Sequence, residues 1–151
     1  VPHAVRPARP DELDALTAIW RRAVEATHDF LAPGDVDVFE PQVQGAVLPA
    51  REVLVVDGPD GRPAGFAAVD GAPGGETQVD MLFVDPVAHG TGVGTALLDA
   101  LADRGALTVD VNEQNPAAHA FYRRRGFVEV GRFPTDGGGR PYPLVHLRRP
   151  A

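Results

Sequence analysis

The sequence predicts one mixed α/β domain with a central, mostly antiparallel sheet of about seven strands, flanked by about four helices. Three observations predict it. Apolar runs at 53–56, 64–69 and 78–84 are separated only by turn clusters, as antiparallel strands are. From Gly90 onward, helical and strand spacings alternate. Two more apolar runs, at 127–130 and 144–147, close the chain. Three antiparallel strands in a row do not begin a doubly wound fold.

Val5 to Pro7 is a short apolar start, expected as an edge strand. Pro10-Asp11 opens a helix, with Asp11 as its N-cap and acids in the first turn. Leu13, Leu16, Ile19, Trp20, Ala23 and Val24 follow at helical spacing to about Thr27. Ala-Pro-Gly at 32–34 is a break, and 35–49 reads as a weaker helix carrying Val38, Val43, Val47 and Leu48. Residues 57–61 form the turn between the strands at 53–56 and 64–69, and Ala72–Gly75 the next turn, before Gln78–Val84. Val93, Leu97, Leu98 and Leu101 predict a helix ending near Gly105, and Leu107–Val111 a short strand. Asn115 caps the last helix with Pro116 at its first position, and Gly126 ends it. Between the two final strands, 136–140 reads as a flexible loop. No repeat or linker interrupts residues 1–151, which are expected to form a single domain.

The composition, 44% hydrophobic and 23% charged, is that of an ordinary globular chain. No apolar stretch approaches the roughly 20 residues of a membrane span, so no membrane partner is expected. No charged-then-apolar signal opens the chain, and a start at Val1 is expected to reflect a removed initiator methionine. The absence of cysteine excludes disulfides and a cysteine nucleophile, and suits the cytoplasm. All 14 basic residues are arginine, so no side-chain amine of the protein can itself be acylated. The net charge of −7 is uneven. Residues 1–75 hold 6 Arg against 12 acids, giving −6, and residues 76–151 hold 8 against 9, giving −1. This disfavours a nucleic-acid partner, which needs a basic face, and the acidic half suits a cationic ligand.

The stretch His89-Gly-Thr-Gly-Val-Gly94 reads as a loop that holds phosphates and then starts a helix. A nucleoside-triphosphate loop needs a lysine, and the chain has none. A dinucleotide loop needs a third glycine where Thr95 stands. It also needs a strand directly before the first glycine, whereas Asp85–His89 intervene. Asp110 mimics the ribose-binding acid of such a fold, but the antiparallel first half opposes it.

The best match is by resemblance. Phe83-Val-Asp-Pro-Val-Ala-His-Gly-Thr-Gly-Val-Gly94 resembles the acetyl-coenzyme A loop of the GNAT superfamily of N-acetyltransferases, with His89 at a position usually held by Gln or Arg. Asn115-Pro-Ala-Ala-His-Ala-Phe-Tyr-Arg-Arg-Arg-Gly-Phe127 is similar to a second signature of that family. Ala26–Leu31, Val111–Asn115 and Arg140–Leu144 look like a small, single-domain bacterial subgroup, the YjaB-type enzymes. The resemblance covers nearly the whole chain.

It implies transfer of the acetyl group of acetyl-coenzyme A to a primary amine by direct attack. The amine would be a small molecule, a protein lysine or an N-terminus. It also implies two neighbouring strands splayed around pantetheine, with Leu82, Phe83 and Val84 offering main-chain groups. Gly90, Thr91, Gly92, Val93, Gly94 and Thr95 would hold the pyrophosphate, with a further donor from His89 and a contact from Asn115. Tyr122 takes the general-acid position, since a phenol is protonated at neutral pH and can donate to the departing sulfur. Asp80, an acid in an apolar strand, is the first candidate for base or ammonium binder, with Glu113 and Asp110 as alternatives. Trp20, His28, Asp29, Phe30 and Tyr142 are the candidates for the acceptor pocket. The histidines at 3, 28, 89, 119 and 146 show no ligand spacing, so no metal is expected. A monomer or homodimer is expected. The alternative function is a non-catalytic acyl-coenzyme A sensor.

Overall fold

A computed structural model describes residues 3–71 and 75–151. Of the turn expected at Ala72–Gly75, Ala72, Pro73 and Gly74 therefore lie outside the described residues. The strands are β1 (Val5–Pro7), β2 (Glu52–Asp57), β3 (Pro63–Gly71), β4 (Thr77–Val84), β5 (Leu107–Asn112), β6 (Val128–Phe133) and β7 (Leu144–Arg149). The helices are α1 (Leu13–Thr27), α2 (Asp35–Gln42), α3 (Leu48–Ala50), α4 (Val93–Ala100) and α5 (Pro116–Arg123). The sheet has seven strands in the order β1-β2-β3-β4-β5-β7-β6. The β1–β2, β2–β3, β5–β7 and β6–β7 pairs are antiparallel and β4–β5 is parallel. The chain divides into two compact units, one of residues 1–70 and 81–101, the other of 71–80 and 102–151. Strand β4 contributes to both.

In the first unit, α1 buries Leu16, Ile19, Trp20 and Val24 against Val55 of β2 and Phe66 and Ala68 of β3. These α1 positions recur three and four residues apart, so they share one helix face. Leu54 and Val56 alternate to the other face of β2, which α4 contacts, and Leu97, Leu98 and Leu101 are fully buried. Gly65 permits this packing, since a Cβ there would meet Val93 Cγ1 at 2.6 Å and Phe83 O at 3.0 Å.

Two expectations for this unit change. Asp11 is not the cap of α1. A 3-10 turn, Pro10–Glu12, precedes the helix, and the Glu12 carboxylate accepts from Arg9 N–H at 2.7 Å. Glu12 also takes a two-pronged contact from Arg6 (2.9 and 2.7 Å), which grips Asp57 at the end of β2 as well. That contact holds the Glu12 carboxyl down at about 2. The helix expected over 35–49 is interrupted by a π-helical turn, Val43–Val47, between α2 and α3. Pro41 lacks an N–H and Gly45 resists helix, and the wider turn lets Val43 and Leu48 reach the core while Val38 stays 48% exposed.

In the second unit, β5 lies between β4 and β7 and buries Leu107, Val109 and Val111. Val145 and Leu147 of β7 do the same, joined by Tyr122 and Phe127. The Tyr122 ring stands edge-on to Phe121 and Phe127 at 5.2 and 5.3 Å. Phe127 is buried just ahead of β6 rather than beginning it, and Gly126 precedes it at φ 92. The segment expected as a flexible loop is a bonded turn, because the Asp136 carboxylate accepts from Gly138 and Arg140 N–H, both at 2.9 Å.

Candidate active site

Strand β4 contains one extra residue. A Cβ on Gly71 would lie 2.9 Å from Thr77 Cα, and one on Gly65 3.4 Å from Val84 Cα, so each glycine faces that residue. Six steps along β3 thus face seven along β4, which defines a bulge. Hydrogen bonding agrees. Thr77 N–H donates to Ala106 O beside β5, whereas Asp85 N–H, an even number of residues on, donates to Ala64 O of β3. A regular strand would send both to the same edge. The ladder to β5 pairs only Thr77–Val79 with Leu107–Val109 and stops there. Past the bulge, Phe83 shares the phase of Asp85 and turns its backbone to β3, while Leu82 and Val84 turn theirs to the other edge. Of the three residues expected to offer main-chain groups, Leu82 and Val84 therefore have the matching direction. Phe83 contributes its ring, 6.0 Å from Phe66 and 6.5 Å from His28.

The loop after β4 is anchored. Asp85 is almost buried, accepts from Arg22 of α1 at 2.6 Å and from Val87 N–H at 3.4 Å, and its carboxyl is held below the usual range by the Arg22 contact. Gly90 and Gly92 follow at φ 76 and 90, conformations that disfavour side chains. Gly92 is the N-cap of α4, no side chain caps that helix, and a Cβ on Gly90 would meet nothing within 4 Å. First-turn N–H groups at such an end lack intrahelical partners, and the macrodipole adds positive potential. The chemistry of this donor set fits a pyrophosphate. Thr91 is exposed, its hydroxyl donates to Ala88 O at 2.5 Å, and its carbonyl contacts His3 Nε2 at 2.7 Å. Val93 and Gly94 are buried. His89 is exposed, but its Nε2 contacts Val84 O at 3.1 Å. Its side chain thus braces the strand end through Nε2.

The remaining candidates of the first unit separate by burial. Trp20 is a core residue, 5% exposed. His28 is half-buried, its Nδ1 2.7 Å from Thr27 Oγ1 and its ring 5.2 Å from Phe30, and desolvation lowers its pKa. Asp29 is exposed beside it.

In the second unit, Tyr122 is 6% exposed, and burial raises the pKa of its phenol, which keeps its proton across the neutral range. Asn115 caps α5, its Oδ1 accepting from Ala118 N–H at 3.2 Å, which leaves its amide donors for other contacts. Asp80 is exposed and directly follows the last paired residue of β4. Glu113 is held by Arg132 through bonds of 2.8 and 2.9 Å, which lower its pKa. Asp110 contacts His146 Nδ1 at 2.6 Å, a pairing that sequence reasoning missed because residues 36 apart meet only through the β5–β7 register. Tyr142 is buried, 7% exposed. Among the described residues no group of three or more His, Asp or Glu side chains is placed to hold a metal, and no helix is long and apolar enough to cross a membrane.

Comparison with known proteins places the chain among the acetyl-coenzyme A-dependent acyltransferases. Residues 49–129 match the acetyltransferase (GNAT) domain family, and the chain belongs to it. It is 38% identical over 150 residues to the peptidyl-lysine N-acetyltransferase YjaB of Salmonella typhimurium, with 97% of each chain covered. It is 39% identical to YjaB of Escherichia coli over 95% of each chain. The solution structure of apo YjaB from E. coli superimposes with a TM-score of 0.85 at 38% identity, over 98% of this chain and 97% of that one. The PaiA N-acetyltransferase of Thermoplasma acidophilum, solved with coenzyme A, shares the fold at 14% identity with a TM-score of 0.80, over 100% of both chains.

Proposed function

We propose that this enzyme acetylates the ε-amine of lysine in a protein or peptide, by direct attack of the amine on acetyl-coenzyme A in the cytoplasm. The observation that carries the reading is the bulge that ends the β4–β5 ladder at Val79 and turns the Leu82 and Val84 backbone toward an unpaired edge. An extended pantetheine arm forms strand-like hydrogen bonds with such an edge. The amides at Gly90, Gly92, Val93, Gly94 and Thr95 hold the pyrophosphate, with Asn115 as a further contact. Tyr122 protonates the departing sulfur. Asp80 binds the incoming ammonium or takes its proton, and His28, Asp29, Phe30 and Tyr142 contact the acceptor. The names of the YjaB relatives and the acidic first half of the chain support a lysine acceptor.

The test is thiol release from acetyl-coenzyme A with lysine peptides, polyamines and free amines, for the wild type and Tyr122→Phe. Lysine-dependent release that falls about 100-fold or more in the variant, with coenzyme affinity retained, is the expected result. Undiminished release in Tyr122→Phe would remove the acid role. Coenzyme binding without release would favour the sensor.

A further inference from the structure

We propose that His146, held in place by Asp110, is the base that takes the proton from the attacking amine. The assignment rests on the acetyl-transfer reading above and gives the proton-acceptor role to His146, which leaves Asp80 to bind the ammonium. His146 and Asp110 are direct partners across β7 and β5, with Nδ1 2.6 Å from Oδ1 and side chains 28% and 32% exposed. A carboxylate on Nδ1 fixes the tautomer, so Nδ1 carries the hydrogen and Nε2 the lone pair. Nε2 has no partner among the described residues, and the Phe133 ring flanks the imidazole at 6.0 Å. The second oxygen of Asp110 accepts from Gln78 Nε2 at 3.5 Å. The Thr108 hydroxyl donates to Gln78 Oε1, which sets the direction of that amide. Asp110 is thus held from both sides and serves as a positioning residue.

Position supplies the second argument. Asp80 and Asp110 are the residues immediately after Val79 and Val109, the last pair of the β4–β5 ladder. The Asp110–His146 pair therefore stands where that pairing ends. Other charged groups of this unit lie around it. Asp80 belongs to β4, Arg148 on β7 pairs with Glu76, and Arg132 pairs with Glu113. On β6 the residue opposite His146 is Gly131, while Glu129 and Arg132 register with Leu147 and Val145.

A carboxylate alone attracts an ammonium group but is a poor proton acceptor at neutral pH, whereas an imidazole is suited to that range. The ammonium gives one proton to Nε2, which passes it to solvent. The freed nitrogen lone pair forms the C–N bond at the thioester carbonyl. When the adduct collapses, the C–S bond breaks, its electron pair goes to sulfur, and Tyr122 protonates it. The second proton leaving nitrogen restores the phenol, so one proton is released per turnover.

The experiment has two arms. Nitrogen-15 spectra of the ligand-free protein report the His146 tautomer. The Nδ1–H form is expected, weakened in Asp110→Asn, and the Nε2–H form would overturn the assignment whether or not any variant folds well. In the second arm, thiol release with acetyl-coenzyme A and a lysine peptide is followed across pH. His146→Asn is expected to lower kcat/KM about 100-fold at neutral pH with coenzyme affinity intact. The deficit should shrink as pH rises and free amine accumulates. Asp110→Asn should show a smaller loss of kcat/KM together with the weakened Nδ1–H form in the first arm. A His146→Asn enzyme with the wild-type rate and pH profile overturns the base while leaving acetyl transfer standing. No lysine-dependent release from the wild type overturns both.

Discussion

The groups proposed for function in the two compact units are of different kinds. In the first, the groups assigned to the coenzyme are backbone: the Leu82 edge, the positive-φ glycines at 90 and 92, and the uncapped start of α4. Apart from His28, Asp29 and Phe30, proposed above for the acceptor, its side chains serve as anchors. Arg22 holds Asp85 at 2.6 Å, and Arg6 joins Glu12 to Asp57. In the second unit the proposed groups are side chains, among them Tyr122, Asp80 and the Asp110–His146 pair, carried on strands and a capped helix. A site made of backbone depends on conformation, and tolerates different side chains as long as the main chain can take its shape. A site made of side chains depends on the identity of each atom. His89 illustrates the first case, since it stands where the family usually has Gln or Arg and its ring reaches back to Val84 O at 3.1 Å.

The sharpest way to break this contrast is Gly92→Val. A β-branched residue at φ 90 is strained by about 1–3 kcal/mol and displaces the loop amides. Calorimetry should show coenzyme affinity weakened at least about 10-fold, the reverse of Tyr122→Phe, which spares binding and loses turnover. Unchanged affinity in Gly92→Val would show that the loop backbone is not the phosphate site. A smaller effect is expected for Arg22→Ala. Removing the Asp85 partner loosens the entry to the loop, so KM for acetyl-coenzyme A should rise a few-fold with kcat nearly unchanged. A fall in kcat instead would mean that the anchor also shapes the chemistry.

The mildest test is acid stability. Glu12 has a folded-state pKa of about 2, below its ordinary 4.5, so it stabilises the fold above the ordinary value. That contribution is lost as pH falls from about 4.5 through 2. Thermal melts between neutral pH and pH 3 should show a drop that is shallower in Arg6→Met, where the carboxylate has lost its partner. Parallel curves for the two proteins would remove Glu12 from the account.

Much of this protein is legible in its residues because the causes are local. Helical spacing marks α1, the Asn115-Pro116 start and Gly126 stop bound α5, and the glycines at 90 and 92 announce a backbone conformation that other residues avoid. The order of strands and helices follows from hydrophobic period and turn residues alone, and the two family signatures are contiguous stretches of chain. What the sequence could not disclose is set by register and long-range contact. The extra residue in β4 is visible only when Gly65 and Gly71 are placed opposite Val84 and Thr77. The displacement of Asp11 by Glu12 as the capping group depends on Arg6 and Asp57 arriving from β1 and β2. Trp20 stands among the pocket candidates although its helical spacing favours the core, and laying α1 against β2 and β3 puts it there. Asp110 stands out in the sequence only as an alternative acid and His146 not at all, and only the β5–β7 ladder brings them within 2.6 Å. Local chain chemistry determined which elements form. Cross-strand register, a property of the assembled sheet, decided which side chains meet.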